Sequence, residues 1–348
     1  MTPEEKPGLD ALVMAGDKGG YRAVHGGNKA LLEIEGFPLV AHVISALQKT
    51  PSLSRIFVVG PKERIEEALA RSGDFVKGAK EVVVLEQRET VVENALHAFL
   101  ASLPGGTPEG GMVPGEELEK RFADKAVLVL GADTPLLTTA EVEEFLEGCD
   151  LDRYDYLLGM TPEEALRPYY PKPGSPGIRF AYFHFRDSRE RQNNLHLIRV
   201  FRVINRRIIQ KLYQYRYQKK ARNILSLFWT LLSTRAVTAL VLLKFLLLHA
   251  CRLLDRRPWS FLQGFLRRFL VKEKIEQDLS RVLKVRLGSV TTTYGGAALD
   301  VDNEEHLEII RSRFREWKAF QERLQECRSQ PPARQAGEPA RGQRPAPP

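Results

Sequence analysis

The order of short apolar runs and helical patterns from Leu9 to Leu130 constrains the fold more than any other feature of the sequence. Leu9 to Ala15 (LDALVMA) reads as a buried strand and opens directly into the glycine-rich stretch GDKGGYRAVHGGNK. Pro38 to Leu47 then carries apolar residues at helical spacing with proline near its start, and Arg55 to Gly60 (RIFVVG) reads as a second strand. A helix (Glu63 to Arg71), a strand (Glu81 to Leu85), a helix (Val91 to Leu103), a loop rich in Gly and Pro, and the strand Ala126 to Leu130 continue the alternation. Strands alternating with helices imply a mostly parallel sheet with both faces covered, that is, three α/β/α layers. Ligands of such sheets bind beyond the carboxyl ends of the strands, so the loops after Met14 and after Leu130 should share one crevice.

Charge divides the chain. Its 348 residues carry a formal net charge of +8. Between Ile178 and Arg286, however, 25 Lys and Arg stand against 6 Asp and Glu, while the remainder holds 27 against 38. A basic middle in an acidic frame points to an anionic partner for the middle: phosphoesters, anionic lipid or nucleic acid. The three cysteines, Cys149, Cys251 and Cys327, lack CxxC spacing, which argues against a thiolate zinc site or a disulfide framework. The start, MTPEEKPGLD, lacks the basic and apolar regions of a secretory signal, so a cytoplasmic location is expected.

The stretch YYPKPGSPG from Tyr169 to Gly177 breaks the pattern. It is read as the entrance to a basic, largely helical insert over 169–287, between two parts of one catalytic domain, 1–168 and 288–328. Apolar stretches lie between Ile224 and Leu254, but Lys244, His249 and Arg252 interrupt the second of them, leaving runs far shorter than the ~20 residues of a membrane span. A further basic helical pattern runs from Trp259 to Leu283, and the tail 329–348, rich in Pro, Arg, Gln and Ala, is expected to be disordered.

Three motifs carry chemistry. Ala15, Gly16, Asp17, Lys18, Gly19, Gly20, Tyr21 and Arg22, followed by Lys29, form an anion cradle by type: glycines let backbone N–H groups approach a polyphosphate, and Arg22 and Lys29 can neutralise its charge. A plain turn after a strand is the alternative, and the spacing fits neither the P-loop nor the dinucleotide fingerprint. The second motif ends the apolar run VLVLG in Ala132, Asp133, Thr134 and Pro135. Asp133 is either a hard-oxygen ligand for Mg²⁺ bridging phosphates or the cap of a helix beginning near Thr138. The third is ALDVDNEEHL, in which Asp300 and Asp302 would share a strand face, and in which Asp302 or Asn303 could equally cap the following helix.

The string AG-x-x-G-x-x-R, then NKALLEIEGFPLV, resembles the opening signature of the GT-A-like nucleotidyltransferases, which include the molybdenum cofactor guanylyltransferases and the sugar-phosphate nucleotidyltransferases. The matching positions are Arg22, Lys29, Leu31, Gly36, Pro38 and Leu39. The chain departs from the family pattern in Asp17 in place of a second glycine, one extra residue before Arg22, and Asn28 in place of a frequent proline. The resemblance implies a Rossmann-like, mixed, mostly parallel sheet and transfer of a nucleoside monophosphate from an NTP, CTP or GTP favoured, to a phosphorylated acceptor with loss of pyrophosphate. It implies Mg²⁺ (or Mn²⁺) at Asp133 and Asp302, with Asp300 in reserve, and a base-reading region around Glu86 to Asn94, where Asn94 reads a base edge or is an ordinary helix residue.

For the basic segment, Arg189, Arg191, Gln192, Asn193 and Asn194 are the candidate acceptor-binding residues, by the suitability of guanidinium and amide groups for phosphate. The acceptor is expected to be a small molecule or lipid-linked, with peripheral contact at the inner membrane face and no recognised nucleic-acid module. The competing reading is a non-catalytic or membrane-surface binding protein on the same fold.

Overall fold

The computed structural model describes residues 8–18, 24–109, 113–206, 243–244, 246–248, 250–251 and 260–329. The elements foreseen up to Leu130 are present. β1 (Leu9–Met14), β4 (Leu53–Gly60), β5 (Val82–Glu86) and β6 (Ala126–Gly131) are strands, and α1 (Leu39–Gln48), α2 (Lys62–Ser72) and α3 (Val91–Ala101) are helices between them. A two-stranded hairpin, β2 (Glu33–Ile34) with β3 (Phe37–Pro38), precedes α1. After α4 (Glu116–Arg121) and β6 come α5 (Thr139–Glu147), β7 (Tyr156–Pro162), α6 (Glu163–Leu166), β8 (Phe183–His184) and β9 (Arg189–Arg199). The C-terminal part adds α7 (Ser260–Arg267), α8 (Lys272–Leu283), β10 (Leu287–Thr291) and the long α9 (Glu304–Ser329).

The central sheet has eight strands in the order β10-β7-β9-β6-β1-β4-β5, with β8 on β9. β1 pairs in parallel with β4 and β6, β4 with β5, and β7 with β10. β9 alone runs against its neighbours β6, β7 and β8. The mixed, mostly parallel sheet expected from the alternation is therefore present. Alternate residues of β1 feed opposite layers, as strand pleating requires. Ala11 and Val13 pack with Val40, Ile44 and Leu47 of α1, and Leu12 packs with Ala98 and Phe99 of α3. A third apolar cluster joins Leu307, Ile310, Phe314 and Trp317 of α9 to Ile34, Leu39, Leu136 and Tyr169.

The expectation of a separate helical insert from residue 169 differs from what is seen. β9, drawn from the basic segment, lies in the middle of the sheet. Its polar inward residues are satisfied rather than solvated. Asn193 donates to the hydroxyls of Thr161 (3.1 Å) and Thr292 (3.0 Å), and Lys272 meets Glu190 at 2.6 Å. The apolar stretches between Ile224 and Leu254 lie mostly outside the described residues, as does the tail from 330. Among the described residues no helix is long and apolar enough to cross a membrane.

Candidate active site

The candidate residues gather where β1, β5 and β6 end. Ala15 follows β1, its N–H bonded to the Val59 carbonyl at 2.8 Å, and Gly60 lies so close that a Cβ there would stand 2.9 Å from the Ala15 oxygen. Asn28, in the position where the family often has proline, ties this loop together. Its Nδ2 donates to the Ala15 carbonyl at 2.9 Å, and its Oδ1 accepts the Ala30 N–H at 2.8 Å, capping a short 3₁₀ turn over Lys29–Leu31. That cap orients Lys29, which is 4% exposed.

The Lys29 ammonium stands 3.4 Å from Asp133 Oδ2 and 3.6 Å from Asp302 Oδ1. Three residues from remote parts of the chain thus meet at one point, and both acids are released for this by other caps. Thr138 caps α5, its hydroxyl accepting the Glu141 N–H, so Asp133 does not. Asn303 Oδ1 accepts the His306 N–H at 2.8 Å and fills the same role for α9, so Asp302 does not. The backbones are joined as well, since the Val301 N–H donates to the Asp133 carbonyl at 3.0 Å.

Asp300 is engaged elsewhere. Its Oδ1 accepts from Arg191 Nη2 at 2.7 Å, and Arg191 Nε also reaches the Ala298 carbonyl. Asp300 therefore braces β9 against the segment that carries Asp302. The candidate acceptor residues also serve as braces. Arg189 pairs with Glu163 at 3.0 Å, Asn193 is buried among threonines, and Asn194 donates to the Ala297 carbonyl at 3.1 Å. Gln192 lies opposite Met160, beside an irregularity in the β7–β9 pairing, the kind of feature that re-aims side chains next to a site.

Gln87 and Glu141 escaped the sequence reading. Gln87 forms a two-way pair with Asp17, accepting its N–H at 2.8 Å and donating Nε2 to Asp17 Oδ1 at 2.7 Å. The unusual Asp17 is thereby explained: it locks the first loop to the end of β5. A Cβ on Gly16 would stand 3.0 Å from Gln87 Oε1 and 3.1 Å from Asn94 Nδ2. Asn94 Oδ1 accepts the Arg88 N–H, which fixes the loop before α3. Glu141, fully buried, accepts from Thr292 Oγ1 and from the N–H groups of Gly295 and Ala297, holding the loop that leads to Asp300. Burial pushes its carboxyl up to about 7, with the three hydrogen bonds opposing part of that rise. Gly19, Gly20 and Arg22 lie outside the described residues.

Comparison with known proteins decides the family. The model of the MobA-like NTP transferase domain matches residues 11–234, well over half of the chain. The chain belongs to this family. The match continues across β9, in agreement with that strand's place in the sheet. A curated relative, the 2-C-methyl-D-erythritol 4-phosphate cytidylyltransferase of Chlorobium phaeovibrioides (strain DSM 265 / 1930), is 31% identical over 92 residues. That alignment takes in 26% of this chain and 38% of the relative's length. A solved structure of a hypothetical transferase from Thermus thermophilus superposes with a TM-score of 0.51 at 22% identity, over 86% of this chain and 99% of the other, which supports the fold.

Proposed function

We propose that the protein is a nucleotidyltransferase that moves a nucleoside monophosphate from an NTP to a phosphorylated acceptor and releases pyrophosphate. The observation that carries this reading is the Lys29 ammonium between Asp133 and Asp302, 3.4 Å and 3.6 Å away, beside the glycine loop. CTP is the first nucleotide to test, because the curated relative is a cytidylyltransferase. GTP is the second, by resemblance to the guanylyltransferases.

Two aspartates that already share a cation suit Mg²⁺ (or Mn²⁺), which characteristically takes one or two carboxylates plus substrate phosphates. Asp133 and Asp302 would hold it. When bound, the metal would neutralise charge on the α-phosphate and the departing pyrophosphate. Lys29 would bind the triphosphate, beside Ala15, Gly16 and Asp17; Arg22, Gly19 and Gly20 join them by resemblance. The acceptor phosphate oxygen attacks the α-phosphorus in line, the bond from that phosphorus to the α–β bridging oxygen breaks, and pyrophosphate leaves. The acceptor is already anionic and needs no general base, so positioning and charge stabilisation supply the acceleration. Gln87 and Asn94 flank Gly16 and would face the base, and Arg191, Gln192 and Asn194 border the acceptor side. The acceptor is a small phosphorylated molecule or a lipid-linked phosphate.

The test is pyrophosphate release by the purified chain with each NTP, Mg²⁺ and a pool of phosphorylated metabolites, against Asp133→Ala. The wild type should release pyrophosphate with at least one pair, and the variant should lose it by about 10²–10³-fold, as when a principal electrostatic group is removed. Release that does not depend on Asp133, or none with any pair, overturns the proposal.

A further inference from the structure

The surface of α7 is at odds with an ordinary soluble face. Phe261, Phe265 and Phe269 recur every fourth residue, and they are 89%, 48% and 55% exposed. Together the three rings leave on the order of 400 Å² in solvent, the size at which an apolar patch on a monomer marks an interaction site. Phe265 and Phe269 meet edge to face, with centroids 5.6 Å apart, so the patch is ordered rather than a set of scattered side chains. Leu243 and Leu246, on the helical stretch tied to α8 through Lys244 and Asp278, are also half exposed.

The charge around this face is mostly basic. Exposed Arg268 directly precedes Phe269 in the chain, and Glu273 and Lys274 are exposed just beyond. Of the acids in the described part of the basic segment, Glu190 is paired with Lys272, Asp278 with Lys244 and Arg281, and Asp187 with Arg186, while Glu273 is exposed beside Lys274. Among the described residues of α7, α8 and the turns after them, Arg268, Lys274, Arg281 and Lys284 are exposed against the single exposed acid Glu273. Aromatic rings beside basic side chains on one helix face are the composition of an interfacial helix, whose rings enter the headgroup and acyl boundary while the cations meet anionic lipid.

We propose that the face formed by Phe261 and Phe265 of α7 and by Arg268 and Phe269 of the turn after it docks the protein onto an anionic lipid surface. The docked helix is rigidly joined to the catalytic frame. Arg267 Nε donates to the Phe185 carbonyl at 2.7 Å and its Nη2 to the Ser188 carbonyl at 3.2 Å, just before β9. The Arg186 N–H donates to the Leu270 carbonyl at 2.8 Å. β9 carries Arg191, which holds the Asp300 segment. Docking would thus fix the height of the crevice above the bilayer and favour an acceptor presented from it.

The experiment is sedimentation of the full chain with vesicles of phosphatidylcholine alone and of phosphatidylcholine mixed with phosphatidylglycerol, at low and high salt. The comparison protein is the triple variant F261S/F265S/F269S, whose fold is checked by thermal melting, and a second variant is Arg268→Glu. The expected result is binding to the anionic vesicles only, weakened by salt, reduced about tenfold or more in the triple variant and clearly reduced in Arg268→Glu. A wild type that stays in the supernatant overturns the proposal, as does a triple variant that binds like the wild type. So does a wild-type dimer that the triple substitution dissolves while vesicles go unbound, because the face would then seat a second copy. Partitioning is read without any nucleotide, so this result stands apart from the result for nucleotidyl transfer.

Discussion

At the residue scale, the site depends on which side chain caps which helix. Thr138 and Asn303 take the capping roles, and Asp133 and Asp302 are left to meet Lys29. Asn303→Ala should therefore cost about 1 kcal/mol of stability, whereas Asp302→Ala should leave the melting temperature near that of the wild type and affect nucleotide handling instead. Thermal melts of the two variants side by side decide this. Glu141 makes a pH prediction. Its carboxyl is raised to about 7 from an ordinary 4.5, so between those values the folded chain binds a proton that the unfolded chain has released. The stability contributed by this group is then full below about pH 4.5 and declines as pH rises through 7. Glu141→Gln should flatten that dependence, and should also lower stability by about 1–3 kcal/mol, because one of the three donors would face an amide NH₂. Melting temperatures across pH 4.5 to 7.5 test both effects. Of the candidate site residues, Lys29, Asp133 and Asp302 stand in motifs that the sequence and the family resemblance single out, and the fold brings these three together. Gln87, Glu141 and the bracing role of Asp300 are not legible in this way. Their partners lie 70, 156 and 109 residues away along the chain, and no local pattern records such pairs.

At the scale of elements, the strands and helices to Leu130 were legible because their apolar periods are clean and their ends carry proline or glycine. β9 was not. Its sequence, RERQNNLHLIR, carries charge and amide at most positions, and its inward Glu190 and Asn193 are buried only because Lys272, Thr161 and Thr292 satisfy them. A strand of that composition reads as a solvated basic segment until its tertiary partners are known. The antiparallel placement of β9 between β6 and β7 brings Arg191 to Asp300 and Asn194 to Ala297, so this strand braces the segment that leads to Asp302.

At the scale of the whole molecule, the two ends of the chain are interdependent. β10 extends the sheet beside β7, and α9 supplies Leu307, Ile310, Phe314 and Trp317 to a core that also contains Ile34 and Leu39. A chain ending at residue 286 should lose cooperative thermal unfolding, and Trp317→Ala alone should cost about 3–5 kcal/mol, the range for deleting a buried aromatic ring. Survival of a sharp transition in the shortened chain would show that the N-terminal part folds by itself. Metal-supported transfer at Lys29, Asp133 and Asp302 is tested most directly with an NTP labelled on its α-phosphate, incubated with Mg²⁺ and acceptors in the wild type, Asp133→Asn, Asp302→Asn and Asp300→Asn. The account predicts label on the acceptor and unlabelled pyrophosphate in the wild type. It predicts a loss of about 10²–10³-fold in the first two variants and a smaller loss in Asp300→Asn, which only braces the segment. Label left on a nucleoside diphosphate, or transfer indifferent to both Asp133 and Asp302, would contradict it.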